Sequence, residues 1–130
     1  MKLKLFPDAI VLCKLHDSTD VSQWLDPDSP LHVTIKDPHG KTVICRDSFT
    51  VGREAEIVDQ SNWRFFQIDE VFEIDSIGVV AEFSQRLAAE NISVFVISSY
   101  ETDYLLVQPH ATKRATEVFE QAGHQVTTTT

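Results

Sequence analysis

Short apolar segments separated by polar breaks run through the first half of the chain and predict strands. Three segments have the length and composition of strands: 10–15, 31–36 and 41–46. Asp37-Pro38-His39-Gly40 between the last two is typical of a turn and predicts a hairpin. Residues 19–25 predict a short helix stopped by Asp26-Pro27, and residues 48–62 a connector with one strand.

The second half of the chain alternates between strand and helix patterns. A helix is predicted from Asp75 or Ser76 to Glu90, ended by Asn91, and a second from Pro109 to the stop at Gly123. The predicted strands are 63–69, 92–97, 104–107 and 124–127. The almost wholly apolar run 92–97 is typical of a strand covered on both faces or lying in an interface.

The order of these elements is strand, helix, strand, strand, helix, strand. Residues 98–102 are too few to join two strands as anything but a hairpin. The order therefore predicts the ferredoxin-like βαββαβ arrangement, an α+β sandwich in which two helices cover one face of an antiparallel sheet. Because the pattern changes after Asn62, we expect two modules, residues 1–62 and 63–130.

Composition and charge narrow the classes of partner. Of the 130 residues, 42% are hydrophobic, enough for a packed core. Lys and Arg number 11 against 20 Asp and Glu, a net charge of -9 that disfavours nucleic acid and anionic membranes. Since no apolar run approaches a membrane span and no signal peptide is apparent, we expect a cytoplasmic protein.

The residue types that carry chemistry form no catalytic pattern. Cys13 and Cys45 lie in predicted strands and are expected to be buried thiols. The five histidines share no metal-ligand spacing, and no nucleophile elbow or glycine-rich phosphate loop is present. We therefore expect no enzyme, no metal and no cofactor.

Four segments carry a family resemblance: Ser76–Val80, Leu87-Ala88, 91–107 and Ala122-Gly123-His124. They resemble an ACT domain, and more narrowly the branch shared by small bacterial ACT-domain proteins and the CASTOR-like arginine sensors. That branch has a Gly opening the first helix, the pattern IS-x-F-x-IST-x-x-TDY-x-LV, and Gly-His after the second helix. Ser99 stands where Thr is usual. The match covers residues 63–127, and residues 1–62 resemble the degenerate N-terminal ACT-like module of these proteins.

The resemblance implies a regulatory protein that holds a free amino acid at an interface between modules. It also implies a tandem of two ACT modules that can form a homodimer, with its output passed to a separate protein partner. The positions that match the family's ligand site are Ile77 and Gly78 in the loop that enters the first helix, and Ser99, Tyr100 and Asp103 around the hairpin. Two neighbours, Ser76 and Val79, complete the candidate ligand-binding residues, and Ser76 can cap the helix or donate to the ligand's carboxylate.

The chemistry of these residues suits an amino acid. Backbone N–H groups at a helix N-terminus bind carboxylates, and Gly78 lets a ligand approach without a Cβ. Asp103 can hold an ammonium or guanidinium group. Three acidic neighbours favour a cationic ligand such as arginine or lysine: Glu73, Asp75 and Glu101.

Each of these residues also has a structural interpretation. Asp103 can accept hydrogen bonds within a turn, Gly78 can allow close packing of helix on sheet, and Tyr100 can be a half-buried sheet residue.

Other functions of the same topology are less consistent with the sequence. A protein without a ligand could act through pairing of its sheet edge with a partner, and this alternative stays open. An acylphosphatase needs an Arg and anion-binding donors in the loop before the first helix, but residues 69–75 are acidic. RNA binding would need a basic surface, which a net charge of -9 disfavours.

Overall fold

The computed structural model describes residues 1–70 and 78–129 as two compact units. The small unit is Ala9–Asn62, and the helical unit is Met1–Asp8 with Trp63–Thr130. The strands are β1 (Lys2–Leu5), β2 (Ile10–Leu15), β3 (Val33–Asp37), β4 (Gly40–Arg46), β5 (Ile57–Val58), β6 (Arg64–Ile68), β7 (Phe95–Ser98), β8 (Asp103–Val107) and β9 (Gln125–Thr128). The α-helices are α1 (Val79–Ala89) and α2 (Thr112–Gln121). None of the helices in the described ranges is long and apolar enough to span a bilayer.

The small unit is a four-stranded antiparallel sheet in the order β3-β4-β2-β5. The predicted hairpin is confirmed, with Asp37 paired to Gly40 at its end. The predicted helix at 19–25 is a single 3-10 turn, Val21–Trp24, and a second 3-10 turn, Asp47–Thr50, precedes β5. The unit thus has the βαββαβ order with one 3-10 turn in place of each helix.

One face of the small unit's sheet carries its core. Val11, Leu15 and Val43 pack there beneath Trp24 of the first 3-10 turn, together with both cysteines. Cys13 and Cys45 are free and fully buried, which confirms the expected buried thiols. Their mutual hydrogen bond lowers the pKa of Cys13 and, together with burial, raises that of Cys45.

The helical unit contains the predicted βαββαβ order from β6 to β9, with α1 and α2 packed against one sheet face. Phe83 and Leu87 of α1 and Phe119 of α2 are fully buried in its core. The ring of Phe119 meets those of Phe66 and Phe83 edge to face, at 5.1 and 5.4 Å between centroids. These contacts pack both helices against the sheet through apolar side chains that recur at helical spacing in the sequence.

The sheet of the helical unit has one strand more than the prediction. Its order is β7-β8-β6-β1-β9, so β1 lies between β6 and β9, antiparallel to the first and parallel to the second. Leu3 of β1 is fully buried in the core. The second module was predicted to start at residue 63, but the structure also places Met1–Asp8 in it, because this strand completes its sheet.

Both helices end where the sequence predicted, each with a left-handed residue. Asn91 has φ 57° and Gly123 has φ 94°. The N–H of the next residue, Ile92 or His124, donates to Leu87 O or Phe119 O at 2.9 and 3.0 Å. These are Schellman motifs, which satisfy carbonyl groups left over at a helix end.

The predicted strand 92–97 is observed as β7, Phe95–Ser98. Ile92 is used instead by the helix-ending motif and is buried in the core. The expected covering on both faces is wrong within this unit: β7 is an edge strand, and Phe95, Val96 and Ile97 are half-buried. A continuous apolar run does not distinguish a central strand from an edge strand that follows a buried connection.

Candidate ligand-binding site

The β7–β8 turn, Ser98 to Asp103, is anchored to the end of β6. Thr102 is buried at 8% exposure, and its hydroxyl donates to the carbonyl oxygen of Ile68 at 2.6 Å. Ile68 is the last residue of β6, directly before the segment that leads to α1. The turn therefore has a fixed position relative to the strand end from which the first helix follows.

Within the turn, Ser99 is hydrogen-bonded to Thr102, and Ser98 is hydrogen-bonded to Asp103. The hydroxyl of Ser99 donates to Thr102 O at 3.0 Å and accepts from Thr102 N at 3.2 Å. The hydroxyl of Ser98 donates to Asp103 Oδ1 at 2.6 Å, across the pair that closes the hairpin. A carboxylate has further lone pairs for an outside donor, so the Ser98–Asp103 pair can accept a cation.

Gly78, with φ 83°, is the N-cap residue of helix α1. Its carbonyl accepts the N–H of Glu82 at 2.9 Å, and no side chain of the described residues caps the helix. Among the described residues other than its chain neighbours, no heavy atom lies within 4 Å of the position that a Cβ on Gly78 would take, so the positive φ is the feature there that favours glycine. The first backbone N–H groups of the helix have no acceptor within it and can bind an anion.

The first turn of α1 lies at the same end of the sheet as the β7–β8 turn. Glu82 Oε1 is 3.6 Å from Nε2 of His124, the residue before β9, and the ring of Phe83 is 4.8 Å from the His124 ring. β9 begins beside the start of β1, which pairs with the end of β6. Thr102 bonds to that same strand end.

Acidic groups outnumber basic ones around this end of the sheet. Glu101 and Asp103 lie in or beside the turn, and Asp69 and Glu70 follow β6. Lys4 lies 3.7 Å from Asp69, while the carboxylate of Glu70 accepts the backbone N–H of Lys2. Burial, with a smaller contribution from Glu101, raises the pKa of Tyr104. The negative charge of these groups disfavours a ligand that carries only negative charge.

Five of the seven sequence-predicted site residues lie within the described ranges: Gly78, Val79, Ser99, Tyr100 and Asp103. Ser76 and Ile77, with the acidic neighbours Glu73 and Asp75, lie outside the described residues. Val79 packs its side chain against the core, which leaves only its backbone for a ligand. Tyr100 is 80% exposed at the tip of the turn, so its interpretation as a half-buried sheet residue is wrong.

Sequence reasoning missed two residues of this arrangement. Ser98 was overlooked although it faces Asp103 across the hairpin, a partnership that the turn length could have indicated. Thr102 was overlooked because nothing in the local pattern distinguishes a buried threonine hydroxyl from an exposed one. No cluster of three His, Cys, Asp or Glu with metal-binding geometry occurs in the part of the chain that the structure describes.

Comparison with known proteins assigns the class. Residues 58–121 match the ACT domain family. A structure from Agrobacterium tumefaciens, solved by the Northeast Structural Genomics Consortium, is 22% identical, with a TM-score of 0.84 over 99% of this chain and 93% of that one. A protein of unknown function from Vibrio cholerae is 21% identical, with a TM-score of 0.70 over 89% and 84%.

A third similar structure is the regulatory subunit of aspartate kinase from Thermus flavus. It is 12% identical, with a TM-score of 0.65 over 95% of this chain and 97% of that one. No curated protein sequence matches the chain. The chain thus contains an ACT domain and has the ferredoxin-like fold of these similar structures, and ACT domains support a small-molecule-binding, regulatory role in general terms.

Proposed function

We propose that this protein is a regulatory module that binds a free amino acid at the end of the helical unit where α1 begins. The observation that carries the proposal is the placement of two complementary groups at one end of one sheet. These are the N-terminus of α1 and the Ser98–Asp103 pair. A free amino acid presents the two matching charges, a carboxylate and an ammonium group.

The start of α1 is the proposed carboxylate site. Backbone N–H groups and the helix dipole both favour an anion there. Gly78 and Val79 contribute backbone donors, and Ser76 and Ile77 complete the loop before them in this proposal. Because Val79 turns its side chain inward, it contributes through its main chain alone.

The turn is the proposed site for the positive end of the ligand. Asp103 accepts the charged group, supported by Ser98 and by the negative charge of Glu101. Since Ser99 is already bonded to Thr102, we assign it the role of shaping the turn rather than contacting the ligand. Tyr100 is exposed at the tip, from where its ring can cover a bound cation. Arginine and lysine are the favoured ligands.

The output of binding passes to a separate protein in this proposal. Neither the described geometry nor the sequence patterns contain a catalytic arrangement, so the protein is proposed to act without catalysing a reaction. A cytoplasmic location and a homodimer are part of the proposal, and the degenerate small unit is its second ACT-like module.

Thermal unfolding in the presence of each standard amino acid tests the proposal. A ligand at about 100 times its Kd stabilises the native state by about 2.7 kcal/mol, which raises Tm by several degrees. We expect arginine or lysine to do so, and Asp103→Asn to abolish the shift. Glu120→Gln is the matched control, because it removes one exposed negative charge from α2.

Two results would redirect the interpretation. If only neutral or acidic amino acids stabilise the protein, the cationic preference is wrong while the ligand-binding role stands. If no amino acid stabilises it at millimolar concentration, the alternative is favoured, an interaction module without a ligand. The half-buried apolar residues of the edge strand β7 support that alternative.

A further inference from the structure

A cavity of about 300 Å³ lies at the hairpin end of the small unit, separate from the residues proposed above. Its lining consists of Asp17, Lys36, Asp37, Pro38, Gly40 and Lys41. Two lysines and two aspartates thus line an open pocket of the size that holds a small polar solute, and Asp17, Lys36 and Asp37 are exposed to solvent there.

The two lysines are held close together by strand register. Lys36 of β3 is directly opposite Lys41 of β4, so both side chains project from the same face of the hairpin. Like charges directly opposite each other destabilise an antiparallel pair. Lys41 Nζ donates to a carbonyl, Thr19 O, at 2.9 Å, and its charge makes a minor contribution to lowering the pKa of Asp20. A carboxylate placed between the two ammonium groups would relieve the repulsion.

The carboxylates on the other side of the cavity are positioned by the turn. Asp37 Oδ1 accepts the N–H of His39 at 2.9 Å, as in an Asx-turn. Asp17 Oδ1 would lie only 3.0 Å from a Cβ at Gly40, so the glycine makes room for this carboxylate. Within the described residues, Asp17 has no hydrogen-bond donor and can accept one from a ligand.

Lysines and aspartates line the same cavity, but no ion pair joins them within the described residues. No ion pair joins any of them to an opposite charge among residues 1–70 and 78–129. Other basic residues of the chain do pair, such as Lys14 with Glu56 at 3.9 Å and Arg114 with Glu90 at 2.9 Å. A ligand that carries both charges can satisfy the two sides at once.

We propose that this cavity binds a small zwitterionic solute, with its carboxylate between Lys36 and Lys41 and its ammonium group on Asp17. A simple anion would satisfy the lysines alone, and a simple cation the aspartates alone. The site belongs to the small unit and does not depend on ligand binding by the helical unit.

Two-dimensional ¹⁵N–¹H NMR of the full chain tests the proposal with β-alanine as the zwitterionic probe. Acetate and methylammonium, at matched ionic strength, represent its two halves. Gly40 reports on the cavity and Gly78 on the start of α1. We expect β-alanine to shift the Gly40 amide with saturation, and each half-probe to bind about tenfold more weakly because one charge-assisted contact is lost.

Charge-neutralising variants locate the contacts. Lys36→Gln and Asp17→Asn should each weaken β-alanine binding about tenfold, the effect of one lost charge-assisted hydrogen bond. Lys113→Gln, which removes an exposed lysine from α2, should leave it unchanged. The proposal is overturned if the Gly40 shift does not saturate, if acetate binds as tightly as β-alanine, or if the control weakens binding equally. A shift at Gly78 alone would support the helical-unit site and contradict this one.

Discussion

The hydroxyl of Thr102 ties the β7–β8 turn to the strand leading to α1. It is buried and reaches Ile68 O, whereas the neighbouring Ser99 is used within the turn itself. Burial of a hydrogen-bonded pair changes the free energy of folding little. A buried acceptor that loses its donor, however, lowers the stability by its full desolvation penalty. The position of Asp103, the next residue, therefore depends on a contact with the end of β6, the strand beside β8.

Thr102→Val should destabilise the protein by about 1–2 kcal/mol, because Ile68 O loses its side-chain donor in a buried position. Thr102→Ser keeps the hydroxyl and should retain most of the stability. Urea unfolding of the two variants measures the difference. Thr112→Val is the control, since Thr112 is also buried and donates to Gln108 O at 3.2 Å at the start of α2. If ligand binding falls with Thr102→Val but not with Thr112→Val, the turn anchor matters to the site and not to stability alone.

Asp26 makes the small unit's stability depend on pH. Its side chain is 1% exposed and meets Arg46 in a two-point contact, Nε to Oδ2 at 2.6 Å and Nη2 to Oδ1 at 2.9 Å. This hydrogen bonding from Arg46 lowers the pKa of Asp26, against the opposing effect of burial. The ionised carboxylate thus stabilises the fold fully above the unfolded pKa of about 3.9, and the contribution is lost as pH falls through the lower, folded pKa.

Arg46→Met should destabilise the native state by about 3 kcal/mol at neutral pH, since it leaves a buried carboxylate unpaired. The loss should be smaller at pH 4, where protonation of the unpaired Asp26 removes the charge. Double replacement with Asp26→Leu should recover much of the stability. Denaturant unfolding at both pH values measures the free energy of unfolding of each variant. An equal loss of stability in the single and double variants would contradict this account.

At the level of whole elements, the ends of the two helices were predictable, and most strand limits were predicted within two residues, but the start of β7 was not. Asn91 and Gly123 are residue types that tolerate a positive φ, and each ends its helix as expected. Strand 92–97 was predicted three residues too early because Ile92 is apolar for another reason, its packing after the helix end. Local residue types determine a helix cap, but an apolar segment can be buried either in a strand or in the connection that follows a helix.

The two helix ends make a paired test of backbone strain. Gly123→Ala should cost about 1 kcal/mol, because a Cβ disfavours the left-handed conformation at φ 94°. Asn91→Gly should be neutral or slightly stabilising at φ 57°, since glycine adopts this conformation freely. Thermal unfolding measures both variants. Equal destabilisation by the two changes would show that side-chain contacts, rather than backbone angles, matter at these positions.

At the scale of the whole molecule, the small unit is inserted into the helical unit between β1 and β6. The two ends of the insertion are joined within the helical unit. Phe6 N donates to Phe65 O at 3.1 Å, Arg64 Nη2 donates to Phe6 O at 2.8 Å, and the rings of Phe6 and Phe65 stack at 4.7 Å. The chain thus leaves and re-enters the helical unit at one place.

Replacement of residues 9–62 by a short Gly-Ser linker should leave the helical unit able to fold, because its core and its insertion point lie within the unit. Circular dichroism and cooperative thermal unfolding provide the measurement. Removal of residues 1–5 from this shortened chain should abolish folding, since β1 is an interior strand. A shortened chain without cooperative unfolding would indicate that the helical unit requires the small unit.

The order of elements, the helix ends and the acidic turn that carries Asp103 could be predicted, because they depend on residue types and spacing within a few positions. The place of β1 became apparent only in the folded chain, although Lys2-Leu3-Lys4-Leu5 alternates as a strand should. The fold also shows that Ser98, rather than Ser99, faces Asp103, and that a threonine hydroxyl anchors their turn. These features depend on pairing and burial between residues far apart in the chain, which local periodicity does not encode.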